Sequence, residues 1–251
     1  MMEFSDIFRE ERYYCNHLFR LLCHDKETGG LKSGLGAVLA ELGLSDKATH
    51  TDIRDAQIYT EVAVFRDVFA AEDEKDTFTD KLYERFLPII SPQYNGNIRN
   101  PIPPSIIREK IGLIHPSKYA DEVEKFAEDK QDALFYREFS ALFNAKPDFL
   151  IIFRDHMLWL EAKFWIAFSS IQLQRTRNIA TLCSSDLFER YFGKRQPIVI
   201  LLGSDQRHKK AQSFGSTRFL SWEKCLDISN KLLPNGESNY TSKSFKQMLA
   251  M

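Results

Sequence analysis

Apolar residues recur at helical spacing through the first part of the chain. Between residues 3 and 24, Phe4, Ile7, Phe8, Tyr14, Leu18, Leu21 and Leu22 line one side of an expected helix. Glu27-Thr28-Gly29-Gly30 and Lys32-Ser33-Gly34 interrupt that pattern. Residues 35–43 predict a second, short helix. Residues 55–71 and 77–90 carry further apolar positions at helical intervals, so the first 90 residues read as mostly α. Ser91 to Pro104 differs. It holds four prolines and the turn dipeptide Asn95-Gly96. Proline lacks an amide donor and interrupts helices and central strands, so this stretch is expected to be a loop or linker and a domain boundary.

Helical periodicity returns over residues 118–144, and then the period shortens. Phe149 to Arg154 and Met157 to Phe164 are short runs rich in Phe, Ile, Leu and Trp, which suits strands. Residues 169–183 predict a helix. Pro197 to Gly203 is a continuous apolar run of the kind found in a strand buried on both faces. Thr217 to Trp222 predicts a last strand, and Trp222 to Leu233 a last helix. The expected order after the linker is α-β-β-α-β-β-α. The fold class implied is α/β, a central mixed sheet flanked by helices, preceded by a mostly helical N-terminal region. The division expected is residues 1–104 and 105–251. Neither repeats nor low-complexity tracts occur.

Composition narrows the class. Of 251 residues, 43% are hydrophobic and 27% charged, values of a chain that buries a core. The N-terminus has no apolar leader region, and no run of 18 apolar residues occurs, so neither secretion nor membrane insertion is expected. Cys15, Cys23, Cys183 and Cys225 form no C-x-x-C pair, which fits free thiols and a cytoplasmic setting. The net charge of −1 conceals an uneven distribution. Residues 146–251 hold 16 Lys/Arg and 9 Asp/Glu, a balance of +7, against −8 for residues 1–145. A basic C-terminal part favours phosphate backbones. The acidic, helical first part suggests partner binding or dimerisation.

The chemistry is concentrated in residues 146–164. With a two-residue turn at Asp155-His156, Asp148 falls opposite Lys163, and Glu161 lies on the diagonal from Asp148. Opposed residues share a face, as do strand residues two apart. Asp148, Glu161 and Lys163 therefore converge, while Phe149, Ile151, Phe153, Leu158, Leu160 and Ala162 form an apolar opposite face. Carboxylates between apolar strands persist when paired, solvated or metal-bound. Two of them supply the hard oxygen ligands that Mg²⁺ prefers, with the Ala162 carbonyl as a further candidate. A metal there would polarise a phosphoryl oxygen and acidify a bound water. Lys163 would orient that water or stabilise charge developing on phosphate.

Pro147-Asp148, then Glu161-Ala162-Lys163 after a 12-residue gap, resembles the signature of the PD-(D/E)XK nuclease superfamily. That group includes restriction endonucleases, Holliday-junction resolvases and RecB-like nucleases. The resemblance implies a restriction-endonuclease-like core, Asp148 and Glu161 as ligands of Mg²⁺ or Mn²⁺, and Lys163 as the catalytic lysine. The family often adds an acidic residue from the preceding helix, for which Glu138 is the candidate. Some members carry a glutamine on the following helix, for which Gln172 and Gln174 both qualify. The tyrosine usual a turn later is missing, so the RecB-like subgroup is not assigned. Arg175 and Arg177 on that helix are candidate phosphate contacts. Arg190, Lys194 and Arg195, and Arg207, His208, Lys209 and Lys210, flank the strand at 198–203 as candidate lining of a nucleic-acid groove.

The expected function is thus a metal-dependent nuclease, a DNA endonuclease first and an RNA-directed or defence nuclease as variants. The alternative is a non-catalytic nucleic-acid-binding or complex-forming subunit with a nuclease-like fold. A homodimer is the default symmetric assembly. Cys15, His17, Cys23 and His24 lie along one expected helix, too spread to share a zinc ion, so they are expected to serve packing.

Overall fold

The computed structural model describes residues 11–30, 32–163, 169–205 and 217–233. The chain divides into two compact units, each discontinuous in sequence. One comprises residues 1–61, 147–176 and 195–251, the other residues 62–146 and 177–194. The expected cut at residue 104 is therefore not where the contacts divide. The first 61 residues belong with the sheet-bearing part of the chain.

The first unit is α/β. It holds helices α1 (Glu11–Cys23), α2 (Gly34–Glu41) and α3 (His50–Asp55), and strands β1 (Gln57–Thr60), β2 (Phe149–Phe153) and β3 (His156–Ala162). The start of α9 (Ser170–Cys183), strands β4 (Gln196–Gly203) and β5 (Arg218–Ser221), and helix α11 (Trp222–Leu232) complete it. The strands form one mixed sheet in the order β1-β2-β3-β4-β5. β1 and β3 run antiparallel to β2, whereas β4 runs parallel to both β3 and β5.

One face of this sheet carries Phe149, Ile151, Phe153, Leu158, Leu160, Ala162, Ile200, Leu202 and Leu220. These pack with Leu18, Leu21 and Leu22 of α1, Val38 and Leu39 of α2, and Trp222 and Cys225 of α11. The apolar face expected for the hairpin is the one observed. The reason is the period of two: side-chain parity, not the turn, decides the face. Leu173 of α9 packs with Leu201 on the other face.

Two expectations are corrected here. Residues 55–71 are not one helix. α3 ends at Asp55, β1 follows, and the next helix begins at Val64. Gln57-Ile58-Tyr59-Thr60 carries the β-branched and aromatic residues that fit a pleated surface, but its partner strand lies some ninety residues away and leaves no local trace. The N-terminal region is thus helical with a strand that completes the sheet edge. The hairpin turn is also displaced. Phe153 pairs with His156, so the loop is Arg154-Asp155, and Arg154 takes the positive φ of 46° that primed hairpin turns demand. Each pair slides by two residues relative to the expectation, which preserves the faces and changes the partners.

The N-terminal helices meet at a tight corner. Ser33 caps α2 by accepting from the Gly36 amide at 3.1 Å, and the Gly34 amide donates to the His24 carbonyl at 2.9 Å. A Cβ on Gly34 would stand 1.6 Å from the Leu21 carbonyl oxygen, so only glycine fits there.

The second unit is helical. It contains α4 (Val64–Ala71), α5 (Lys75–Ile90), α6 (Pro104–Ile111), α7 (Tyr119–Val123), α8 (Lys130–Asn144), the end of α9, and α10 (Glu189–Phe192). The helix expected over residues 118–144 is interrupted: α7 ends at Val123 and α8 starts at Lys130, capped by Asp129. The proline-rich stretch opens on a 3₁₀ turn at Ser91–Tyr94 and is irregular from there as expected, but Pro104 opens α6, as suits a residue whose missing amide is no loss in a first helical turn. The core is aromatic. Phe65 meets Phe188 edge-on at 5.0 Å, and Phe135 and Phe139 stack at 5.6 Å. Among the described residues no helix is long and apolar enough to cross a membrane.

Candidate active site

The site forms where β2 begins and β3 ends. Thr60 pairs with Phe149, and Phe149 with Leu160, so continuing both ladders by one position sets Asp148 opposite Glu161 rather than Lys163. Asp148 Oδ2 accepts a 2.6 Å hydrogen bond from the Ala162 amide. Lys163, just past β3, donates its own amide to the Leu202 carbonyl at 2.8 Å, which fastens the strand end to β4. Its Nζ lies 3.2 Å from Glu161 Oε1, with both side chains about 15% exposed. That same oxygen accepts from Gln172 Nε2 at 2.6 Å. Asp148, Glu161, Lys163 and Gln172 are thus brought together, all within the sheet-bearing unit.

The helix that delivers Gln172 begins just before it. The Ser169 hydroxyl accepts from the Gln172 amide at 3.0 Å, which seats the first turn of α9. Successive helical residues are rotated by about 100°, so Gln172 and Gln174 cannot both face the sheet. Gln174 is exposed on the outside. The choice between them is made by the rotation of α9 about its axis.

The electrostatics are strained. Burial pushes Asp148 up to about 6, and the Glu161 charge adds to the shift. The Ala162 amide and Lys163 pull the other way, while Glu61 pushes further upward. Two carboxylates thus share one ammonium, and the partly desolvated one gives up its proton reluctantly. The influence of Glu61 was not legible in the sequence, because nothing local marked β1 as a strand ending beside Asp148.

The other expected residues are distributed over both units. Glu138 sits in the helical unit, 9% exposed, where its Oε1 accepts from the Tyr94 hydroxyl at 3.2 Å. Arg177 also belongs to that unit, whereas Arg175 and Arg195 belong to the sheet-bearing one; all three are half-buried. Arg190, offered as groove lining, pairs instead with Glu72 at 2.7 Å and with the Tyr191 hydroxyl. Lys194 is exposed in the helical unit. Arg207, His208, Lys209 and Lys210 lie outside the described residues. Cys15 and His17 are buried, while Cys23 is exposed. Among the described residues, no three His, Cys, Asp or Glu side chains stand close enough to hold a metal by themselves.

Comparison of the chain with protein-family models, with curated proteins and with solved structures finds no match.

Proposed function

We propose that this protein is a divalent-cation-dependent nuclease of the PD-(D/E)XK type, hydrolysing phosphodiester bonds, with DNA as the first substrate to test. The observation that carries this reading is Glu161. It stands opposite Asp148 and receives both Lys163 and Gln172 on one carboxylate oxygen. The chain order of a helix, a hairpin, a second helix and a strand parallel to the hairpin's second strand supports the same reading.

The residues present fit a cation such as Mg²⁺ or Mn²⁺. Asp148 and Glu161 offer hard oxygens, and burial, with the Glu161 charge adding to it, raises the Asp148 carboxyl, so a nearby cation would favour its ionised form. Mg²⁺ is commonly held by one or two carboxylates with the remaining positions taken by water, so two side chains suffice, with the Ala162 carbonyl as a further candidate ligand. When bound, the cation supplies Lewis-acid polarisation of a phosphoryl oxygen and a more acidic water.

The chain's own residues divide the remaining work. The Ala162 amide fixes the Asp148 carboxylate against the strand end. Gln172 holds Glu161 in one orientation. Lys163 offers its ammonium to the attacking water or to charge growing on the phosphate. Arg175 and Arg195, and Lys209 and Lys210, are candidates to hold the phosphate backbone, which positions substrate without reading its sequence.

Purified protein incubated with plasmid and linear DNA, with and without Mg²⁺, tests the reading. Lys163→Ala is expected to slow cleavage by about a thousandfold, the scale of losing one charge-stabilising donor. Equal cleavage by wild type and variant would identify a contaminant and end the proposal. A parallel RNA arm decides the substrate class. Gln172→Ala is expected to cost less, about tenfold, because it orients a ligand without touching substrate. The same rate across a Mg²⁺ titration for wild type and Gln172→Ala would remove that role.

A further inference from the structure

β1 lies at one end of the strand order, with β2 on one side only. The bond from the Glu61 amide to the Asp148 carbonyl fixes which way its main-chain groups point. In an antiparallel ladder, directly opposed residues alternate between exchanging hydrogen bonds and not doing so. Gln57, Tyr59 and Glu61 therefore turn their amides and carbonyls towards β2, and Ile58 and Thr60 turn theirs outward. Among the described residues nothing bonds the outward amides and carbonyls of Ile58 and Thr60. Gln57, Tyr59 and Thr60 are exposed. Sheets discourage pairing at such an edge with charges, proline or a bulge. Gln57-Ile58-Tyr59-Thr60 is uncharged, lacks proline, and pairs with β2 in an unbroken ladder. The strand at the opposite edge, β5, opens on a charge, Arg218. Among the described residues, three large apolar side chains are exposed in the sheet-bearing unit. Two of them, Tyr59 and Phe19, belong to β1 and to α1, the helix packed against it.

We infer that β1 is a dimerisation edge, where a second copy of this chain adds its own β1 antiparallel across a two-fold axis at Tyr59. A row of unpaired amides and carbonyls is met by another extended strand. The register selects a second copy as that strand. Ile58 and Thr60 flank Tyr59 symmetrically, so a two-fold there sets Ile58 of each copy opposite Thr60 of the other. Each such pair exchanges both of its hydrogen bonds, and every outward group of the two residues is satisfied. A two-fold also brings the residue on the axis against itself, which a charge there would oppose. Tyr59 instead meets Tyr59, at the position without hydrogen bonds where side chains approach most closely, and aromatic pairs are favourable there. The axis stands perpendicular to the sheet, and Asp148 shares the face of Tyr59, so both copies would present Asp148 and Glu161 on one side. The dimer does not itself rest on the nuclease reading.

Sedimentation velocity of the full chain over a concentration series tests this, with amide hydrogen exchange read by nuclear magnetic resonance beside it. Four residues a side bury less than the roughly 1,200 Å² of a standard interface, so a Kd on the order of 10 µM is expected. In the dimer the Ile58 and Thr60 amides are expected to exchange slowly and to lose that protection on dilution. Tyr59→Lys sets two ammonium groups against each other at the axis and is expected to weaken the dimer by about tenfold or more. Thr60→Pro removes an outward amide while keeping the bonds of β1 to β2, and is expected to do the same. Circular dichroism identifies the folded variants, and the exchange result on wild type needs no variant. A wild type still monomeric at about ten times that Kd overturns the inference. So does a dimer that forms equally well in the folded variants, or one in which the Ile58 and Thr60 amides stay unprotected.

Discussion

Asp148→Asn is expected to abolish cation-dependent cleavage and at the same time to stabilise the protein at pH 7.5. Burial and the neighbouring Glu161 push the Asp148 carboxyl up to about 6. In the unfolded chain the same group titrates near its ordinary value of about 4. Between those values the folded state holds more protons than the unfolded state. Stability therefore falls as pH rises through that window, and above it the folded state is lower in stability by on the order of 2 kcal/mol. Asparagine keeps an oxygen for the Ala162 amide and removes the charge that opposes Glu161. Urea unfolding at pH 7.5 should show a gain of that size, shrinking towards zero near pH 4. On the nuclease reading cleavage should drop by about a thousandfold or more, since that reading makes Asp148 a cation ligand. A variant that is less stable than wild type at pH 7.5 would mean that the bond to Ala162 outweighs the repulsion. Mg²⁺ should replace part of the missing compensation in wild type, raising its melting temperature more at pH 7.5 than at pH 5.

Gly34→Ala is expected to destabilise the protein by about 3 kcal/mol or more, without touching the site chemistry. The added methyl would meet the Leu21 carbonyl oxygen at 1.6 Å, and that oxygen is backbone, which no rotamer change can move aside. Relief requires α2 to back away from α1. Leu18, Leu21, Leu22, Val38 and Leu39 would then lose part of their contact with the sheet face that backs β2 and β3. Thermal unfolding followed by circular dichroism measures the effect. A melting temperature within a degree of wild type would show that the corner yields cheaply. Cleavage per folded molecule should stay close to wild type, which distinguishes this scaffold change from the loss at Asp148.

Much of the α/β core could be read in advance. The strands at 149–153, 156–162 and 196–203 and the helix at 222–232 fall where composition and period place them, to within a few residues, although only the second half of the strand at 196–203 is buried. The convergence of Asp148, Glu161 and Lys163 was also legible, because a strand's alternation assigns faces by parity alone. The pairing was not. Whether Arg154 or Asp155 takes the first loop position depends on which backbone accepts a positive φ under the pull of the whole ladder, and Arg154 does. Glu138 followed from an apolar stripe, and it is buried in the helical unit as that stripe implied.

By itself, then, the sequence determined the hairpin, the composition of its two faces and the three charged residues gathered at its end. These follow from interactions between residues a few positions apart, where chain stereochemistry leaves few choices. The tertiary structure decided which carboxylate faces which, that Gln172 rather than Gln174 reaches Glu161, and that Glu61 arrives beside Asp148. Each of those depends on a strand or helix brought from a distance by burial of apolar surface. Burial is non-directional, so a local pattern records that it must happen and not against what.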